Sequence, residues 1–182
     1  NSSTVTVSGA SNTYTGGTWV NGGTLQFGAN STFTCSTGAC ASGNSTIVSG
    51  PVGVGAVTIN AGGTLDLNGN GSNFASYSTG LFYNPIVMAG SGTTSSTVAT
   101  LLNSTGSNNA GAYGQITLSR ISGTVGTLVD VIGQSIGAAI ILGGKITDGA
   151  STGSNTNYAG LQVGQGSAGY ISFINGSNDY AG

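Results

Sequence analysis

Residues 15–27 read TGGTWVNGGTLQF, and two short β-prone runs lie within this stretch. Residues 18–20 and 24–27 flank the sequence Asn21-Gly22-Gly23. Asn and Gly tolerate the positive φ angles that tight turns need, so the stretch predicts a strand, a turn and a second strand.

A related unit follows at residues 56–69, which read AVTINAGGTLDLNG. Residues 57–59 and 64–67 flank the turn sequence in the same order, and the second run again begins with Thr-Leu. Two copies of one strand–turn–strand unit indicate a repeated coil of the chain. With about 20–25 residues per coil, the chain would form about 8 coils.

The composition differs from that of an ordinary globular protein. Only 3% of the 182 residues are charged, where about 25% is usual, and 35 residues are glycines. The hydrophobic residues make up 37% and fall in short alternating runs, whereas disordered chains usually combine low hydrophobicity with high net charge. The length is sufficient for one core, and we predict a single domain over residues 1–182.

Several partners are excluded by charge and hydropathy. Arg120 and Lys145 are the only cations and the net charge is −2, so we expect no binding to nucleic acid. The longest apolar run, residues 136–142, is too short to span a bilayer, and we expect no membrane insertion. No secretory signal begins the sequence, which leaves open a mature form or an excised segment.

Strand-like or apolar runs recur along the chain, and no helix is predicted. The best helical window, residues 128–142, contains Gly133, Gly137 and many β-branched residues. The predicted runs lie at residues 4–7, 18–20, 24–27, 31–34, 46–48, 57–59, 64–67, 81–83, 86–88, 97–102, 116–118, 127–132, 140–142, 161–163 and 170–174. This pattern predicts an all-β fold, and its spacing alone also fits a β-sandwich or a barrel.

The segment at residues 12–28, NTYTGGTWVNGGTLQFG, fits the pattern N-x-Y-x-G-G-T-x-V-x-x-G-T-L. The residues that fit are Asn12, Tyr14, Gly16, Gly17, Thr18, Val20, Gly23, Thr24 and Leu25. The segment resembles the passenger-associated β-strand repeat of bacterial autotransporters, and residues 56–69 resemble it more weakly. The resemblance implies a right-handed β-helix on the bacterial exterior, often in large adhesins, and it implies no catalytic residues. Together with the repeated unit, it favours a right-handed β-solenoid over the alternative β-sandwich.

Cys35 and Cys40 are the only cysteines and enclose the short sequence CSTGAC. The chain has no histidine to complete a metal site, and the spacing is not CxxC. We predict a local disulfide that fixes a turn, which implies an oxidising, extracytoplasmic location.

Catalytic and cofactor chemistry is poorly supported. The sequence has no His or Glu, so general acid–base catalysis would have to use the four aspartates, Lys145 or the tyrosines. Asp130 and Asp148 are the acids that a carbohydrate-active β-helix could use, but a solvated or strand-pairing role is the better interpretation. We predict no enzyme activity, no catalytic residue, no cofactor and no metal site.

Four aromatic residues are candidates for stacking on sugars: Tyr14, Trp19, Tyr77 and Tyr83. The same residues could fill core positions or cap the ends of coils, and we expect packing in the core or at an interface.

The ends of a solenoid expose unpaired strand edges, which are templates for another strand. Asp179 is the only charged residue near either end of the chain, so we expect another copy or segment to cover the edges. The predicted inter-subunit residues of the terminal strands are Thr4, Val5, Thr6, Val7, Tyr170, Ile171 and Phe173.

These observations predict a non-enzymatic, extracellular structural protein of the bacterial surface. It would be a self-associating subunit or segment of a fibre, with copies joined head to tail or by strand insertion. The alternative is an autotransporter-type adhesin segment that binds glycans or host surfaces.

Overall fold

The structure is a computed structural model that describes residues 3–35, 45–70, 82–90, 98–105, 108–119, 128–134, 139–148, 160–165 and 170–179. Every regular element within these ranges is a β-strand, so the predicted all-β class is confirmed. In the same ranges no helix has the length and apolar character needed to cross a membrane.

Three parallel sheets contain most of the strands. The six-stranded sheet has the order β1 (Thr4–Val7), β3 (Gly23–Phe27), β7 (Gly63–Asp66), β9 (Ala99–Asn103), β12 (Leu128–Gln134) and β15 (Gly160–Gln165). The five-stranded sheet has the order β14 (Ile146–Asp148), β11 (Ile116–Leu118), β8 (Ile86–Ala89), β6 (Val57–Asn60) and β2 (Thr18–Val20). The three-stranded sheet has the order β10 (Ala110–Ala112), β13 (Ile140–Leu142) and β16 (Ile171–Phe173).

The path of the chain through these sheets is cyclic. From β9 onwards, successive strands enter the six-stranded, the three-stranded and the five-stranded sheet in turn. Among the described residues, antiparallel pairing is confined to the hairpin of β4 (Thr32–Cys35) with β5 (Ser45–Ser49) and to one bridge between Asn12 and Gly50. We interpret this pattern as stacked coils of one chain, because parallel neighbours require a crossover between each pair.

The coils differ in length. Ile86, Ile116 and Ile146 are partners in register, so this part of the chain repeats every 30 residues. Thr4 and Thr24 are partners 20 residues apart, whereas the coil from Thr24 to Thr64 takes 40 residues. The predicted coil length of about 20–25 residues is therefore wrong for most of the chain, and the β4–β5 hairpin lies in the longest of these coils.

The turn at Asn21-Gly22-Gly23 is a corner between two sheets. β2 belongs to the five-stranded sheet and β3 to the six-stranded sheet, so the two strands do not pair with each other. Gly23 has a φ of +68°, which glycine adopts without steric cost. The second copy of the unit lies directly against the first, since Thr24 pairs with Thr64 and Leu25 with Leu65.

Register partners form straight rows across the six-stranded sheet, and we call each row a rank. One rank contains Val5, Leu25, Leu65, Leu101, Ile132 and Val163. Its central members Leu65 and Leu101 are completely buried and belong to the main apolar cluster. That cluster continues into the other two sheets through Ile86, Ile116 and Ile140. The interior between the sheets is therefore a column of stacked aliphatic side chains.

Candidate functional site

The N-terminal edge of the six-stranded sheet is formed by β1. This strand pairs with β3 on one side, and no described residue pairs with its other side. Thr4, Val5 and Thr6 are exposed, and Val5 is 60% exposed. Val5 lies in the rank of Leu25 and Leu65, so it is a core residue whose outer neighbour is missing among the described strands. The predicted residues of β1 are therefore placed at an open edge.

A second open edge is formed by β16 in the three-stranded sheet. β16 pairs with β13, and none of the described strands lies on its other side. Ile171 is partly buried against the main apolar cluster. Tyr170 and Phe173 are exposed, as is the adjacent Ile174. The predicted residues in and directly before this strand thus combine the partly buried Ile171 with the exposed Tyr170 and Phe173.

β15 is a third open edge, which the sequence did not identify as one. It pairs with β12 and is the last strand of the six-stranded sheet in the described part of the chain. Val163 is 45% exposed and lies in the same rank as Val5, at the opposite edge of the sheet. The alternation of Leu161, Gln162 and Val163 indicates a strand, but only the coil order shows that the strand is terminal.

The C-terminal edge of the five-stranded sheet is covered. Asp179 forms a parallel bridge with Thr147 of β14, and its N–H donates to the Ile146 carbonyl at 3.1 Å. The Asn178 side chain accepts a hydrogen bond from the Ile146 N–H at 2.9 Å. Asp179 also pairs with Lys145 across the same edge. Asn178 and Asp179 of the same chain thus cover part of this edge, and the expectation that another copy or segment covers the ends stays a prediction.

Electrostatics at this covered edge favour the ionised carboxylate. The hydrogen bond from Lys145, with a smaller contribution from Thr147, lowers the pKa of Asp179 below the ordinary 3.8. Both groups of the pair are substantially exposed, so solvent screens the interaction.

A ladder of polar side chains links four successive coils beside the core. The Thr6 hydroxyl donates to Gln26 Oε1 at 3.0 Å, and Gln26 Nε2 donates to Asp66 Oδ2 at 2.8 Å. Asp66 is buried, and its carboxylate also accepts from the Asn68 N–H, the Ser104 N–H and the Ser104 hydroxyl. Four donors thus satisfy this carboxylate, which gives Asp66 a structural role in joining coils.

The two acids named as candidates for carbohydrate chemistry lie in strands of different sheets. Asp130 lies in β12 of the six-stranded sheet, and Asp148 lies in β14 of the five-stranded sheet. Arg120 lies outside the described residues. In the described ranges, no group of three or more His, Cys, Asp or Glu side chains could hold a metal ion.

The structure describes only Cys35 of the segment between the two cysteines. Cys35 is the last residue of β4, and the hairpin partner strand begins at Ser45. Cys40 lies outside the described residues, so the disulfide stays a prediction.

The aromatic candidates divide into buried and exposed residues. Tyr83 is buried, and its ring lies 4.7 Å from that of Phe33 on the β4–β5 hairpin. Tyr14 and Trp19 are exposed, so core packing is wrong for these two residues. Tyr77 lies outside the described residues.

Comparisons with known proteins support the resemblance over a short part of the chain. The family model for the passenger-associated-transport-repeat matches residues 1–27, which include β1, β2 and β3. Searches of curated proteins and of solved structures found no match. The match covers 27 of the 182 residues and supports the resemblance of this stretch to the passenger repeat of autotransporters.

Proposed function

We propose that this chain is a non-enzymatic structural segment of an extracellular bacterial fibre, in which copies associate through the open edges of their sheets. The observation that carries the proposal is the pair of open edges in the six-stranded sheet. Val5 at one edge and Val163 at the other occupy the same rank and are both exposed. A copy stacked on the next would place Val163 against Val5 and continue the apolar column.

Pairing of strands across the two edges would stabilise such a joint between copies. Each open edge presents backbone N–H and C=O groups that a parallel strand of another copy can pair with. Contact between the edges would also remove Val5 and Val163 from water, which is favourable in proportion to the apolar area buried. Only 3% of the residues are charged, so little like-charge repulsion opposes the contact.

The joint would be heterologous, because a β1 edge meets a β15 edge. A heterologous contact that does not close on itself generates an open, polar filament. The cap formed by Asn178 and Asp179 covers β14, which restricts strand pairing at this end to the other two sheets. β16, with exposed Tyr170 and Phe173, provides the second contact or the strand that inserts into a neighbour.

Sedimentation velocity on the isolated chain at neutral pH tests this proposal. The weight-average sedimentation coefficient should rise with protein concentration as copies join. A concentration series up to about 1 mM reaches association free energies as weak as about −4 kcal/mol. A single monomeric species across that range would contradict the proposal.

A further inference from the structure

Four Asn-Gly pairs occur in the sequence, at residues 21–22, 68–69, 70–71 and 175–176. In such a pair, the backbone nitrogen of the glycine can attack the side-chain carbonyl carbon of the asparagine. Glycine hinders this attack least, because it has no side chain. Three of the pairs lie wholly within the described residues, and Gly71 of the fourth lies outside them. The surroundings of the three pairs differ in the features on which the attack depends.

The pair Asn21-Gly22 is open to solvent. Both residues are exposed, and they form the corner between β2 and β3. No heavy atom of a non-neighbouring residue lies within 4 Å of the point that a Cβ at Gly22 would occupy. None of the described residues accepts a hydrogen bond from the Gly22 N–H. The attacking nitrogen is therefore accessible, and no such bond has to break before it reacts.

Asn60 of the next coil contacts the side chain that would be attacked. Val20 and Ile59 are register partners, so Asn21 and Asn60 follow them at the same corner of successive coils. Asn60 Nδ2 donates a 2.6 Å hydrogen bond to Asn21 Oδ1. Attack on the amide carbon places negative charge on this oxygen, and a donor already aimed at it stabilises that charge. Asn60 itself is followed by Ala61, whose Cβ hinders the corresponding attack in the second coil.

The pair Asn68-Gly69 is closed by comparison. The Gly69 N–H donates to Asn103 Oδ1 at 2.8 Å, which engages the attacking nitrogen. Asn68 Nδ2 donates to the Phe27 carbonyl, and Asn68 Oδ1 accepts from the Thr105 hydroxyl, both at 2.9 Å. The backbone nitrogen and the side chain are thus each fixed by partners that would have to separate before the reaction.

The pair Asn175-Gly176 is intermediate. Gly176 is exposed, and the space around it is open. Asn175 Oδ1 accepts a 2.9 Å hydrogen bond from the Ser177 N–H, and Asn175 Nδ2 donates to the Gly143 carbonyl at 3.4 Å. These two bonds restrain the asparagine side chain while leaving the glycine accessible.

We propose that Asn21 is a site of spontaneous deamidation, which proceeds through a cyclic imide with Gly22. The Gly22 nitrogen bonds to Asn21 Cγ and loses its proton to solvent, and the amide nitrogen takes up a proton and leaves as ammonia. Water then adds to one of the imide carbonyls and opens the ring to aspartate or isoaspartate. The net reaction exchanges ammonia for water, and nothing is oxidised or reduced.

The modification changes the charge of the first coils. No Asp, Glu, Lys or Arg occurs before Asp66 in the sequence, and the product places a carboxylate at the corner beside β3. Isoaspartate also adds one methylene group to the backbone of this corner. The reaction needs only water, so it does not depend on self-association of the chain.

Peptide mass spectrometry of the intact chain, sampled over time at neutral pH, tests the proposal. Chymotrypsin can release residues 20–27, 68–74 and 174–180, and fragmentation locates the exchanged amide and identifies isoaspartate. Asn21 should react about tenfold or more faster than Asn68, with Asn175 between them. In concentrated urea the rates should converge, because the contacts that separate them are lost. An unmodified Asn21, or equal rates at Asn21 and Asn68 in the folded chain, would overturn the proposal.

Two variants test the cyclic imide and the contact with Asn60. Gly22→Ala adds a methyl group in open space and should slow the reaction at Asn21 by about tenfold or more without altering the fold. Asn60→Ala removes the donor to Oδ1 and should slow it by about threefold or more. Asn175 in the same samples is the internal control, and circular dichroism verifies the fold. An undiminished Asn21 rate would refute the cyclic imide in Gly22→Ala and the role of the donor in Asn60→Ala.

Discussion

Val5 and Val163 occupy one rank of the six-stranded sheet and lie at its two opposite edges. Both are exposed, although Leu65 and Leu101 between them are completely buried. The apolar column inside the coils therefore has two uncovered ends within the described strands. Because the two edges belong to one sheet and run in one direction, they are suited to join copies head to tail.

Val5→Lys should block association through the β1 edge. A lysine in this rank would have to be buried without a partner at the joint, and edge lysines are a known obstacle to strand addition. We expect association to weaken by about tenfold or more, as measured by sedimentation velocity. Val48→Lys, at an exposed position on the β4–β5 hairpin, is the matched control. Equal loss of association in both variants would show that the β1 edge is not the contact.

Asp66→Ala should destabilise the folded chain by about 2 kcal/mol or more. The substitution leaves the donors on Gln26, Asn68 and Ser104 without their buried acceptor. Urea unfolding monitored by circular dichroism measures the loss. Gln115→Ala removes an exposed side chain and should change the unfolding free energy by less than about 0.5 kcal/mol. A similar small change for Asp66→Ala would refute the structural role of this carboxylate.

The pair of Asp179 with Lys145 should make the cap on β14 sensitive to acid. The pKa of Asp179 is lowered in the folded state, chiefly by the hydrogen bond from Lys145. The folded state therefore favours the ionised form, so the stabilisation is present above the ordinary pKa of 3.8 and is lost as the pH falls through the lowered pKa.

Carbon-13 NMR titration of the aspartate carboxyl groups tests this linkage. Lys145→Gln removes the main cause of the shift, so the pKa of Asp179 should rise toward its ordinary value. An unchanged Asp179 titration in that variant would show that Lys145 does not stabilise the carboxylate.

Gly144→Ala should destabilise the corner where two successive coils are in close contact. A Cβ atom at Gly144 would overlap the Gly114 carbonyl oxygen, which is backbone and cannot rotate away. We expect a loss of about 1–3 kcal/mol, measured by thermal unfolding. Gly22→Ala is the control, because no heavy atom lies within 4 Å of the point that its new methyl group would occupy. Equal melting temperatures for the two variants would contradict the close approach of the coils.

Much of the strand content could be predicted from the sequence. Alternating runs such as those of β1, β6 and β11 indicate strands, and the structure has strands there. The sequence does not predict β10, because Ala110–Ala112 has only small residues and carries no propensity signal. Nor does it predict β14, because Ile146-Thr147-Asp148 has a single apolar residue and ends in an aspartate, which is depleted in strands.

The order of the coils could not be predicted in the same way. The 30-residue period of Ile86, Ile116 and Ile146 is visible in the sequence, but the first coils have other lengths and obscure it. β15 is the last strand of its sheet, and Asp179 pairs with β14. Both features depend on which segments of the chain pack beside each other in the folded state. Strand edges are tertiary features, so local patterns locate the strands without showing which of them are left open.

Electron microscopy of the isolated chain at neutral pH tests self-association through the sheet edges most directly. The account predicts long, unbranched filaments with an axial repeat of about 30 Å, since the six-stranded sheet stacks strands about 4.8 Å apart. Dispersed single particles at high protein concentration would contradict the account, because two open edges of one sheet would then remain uncovered without joining copies.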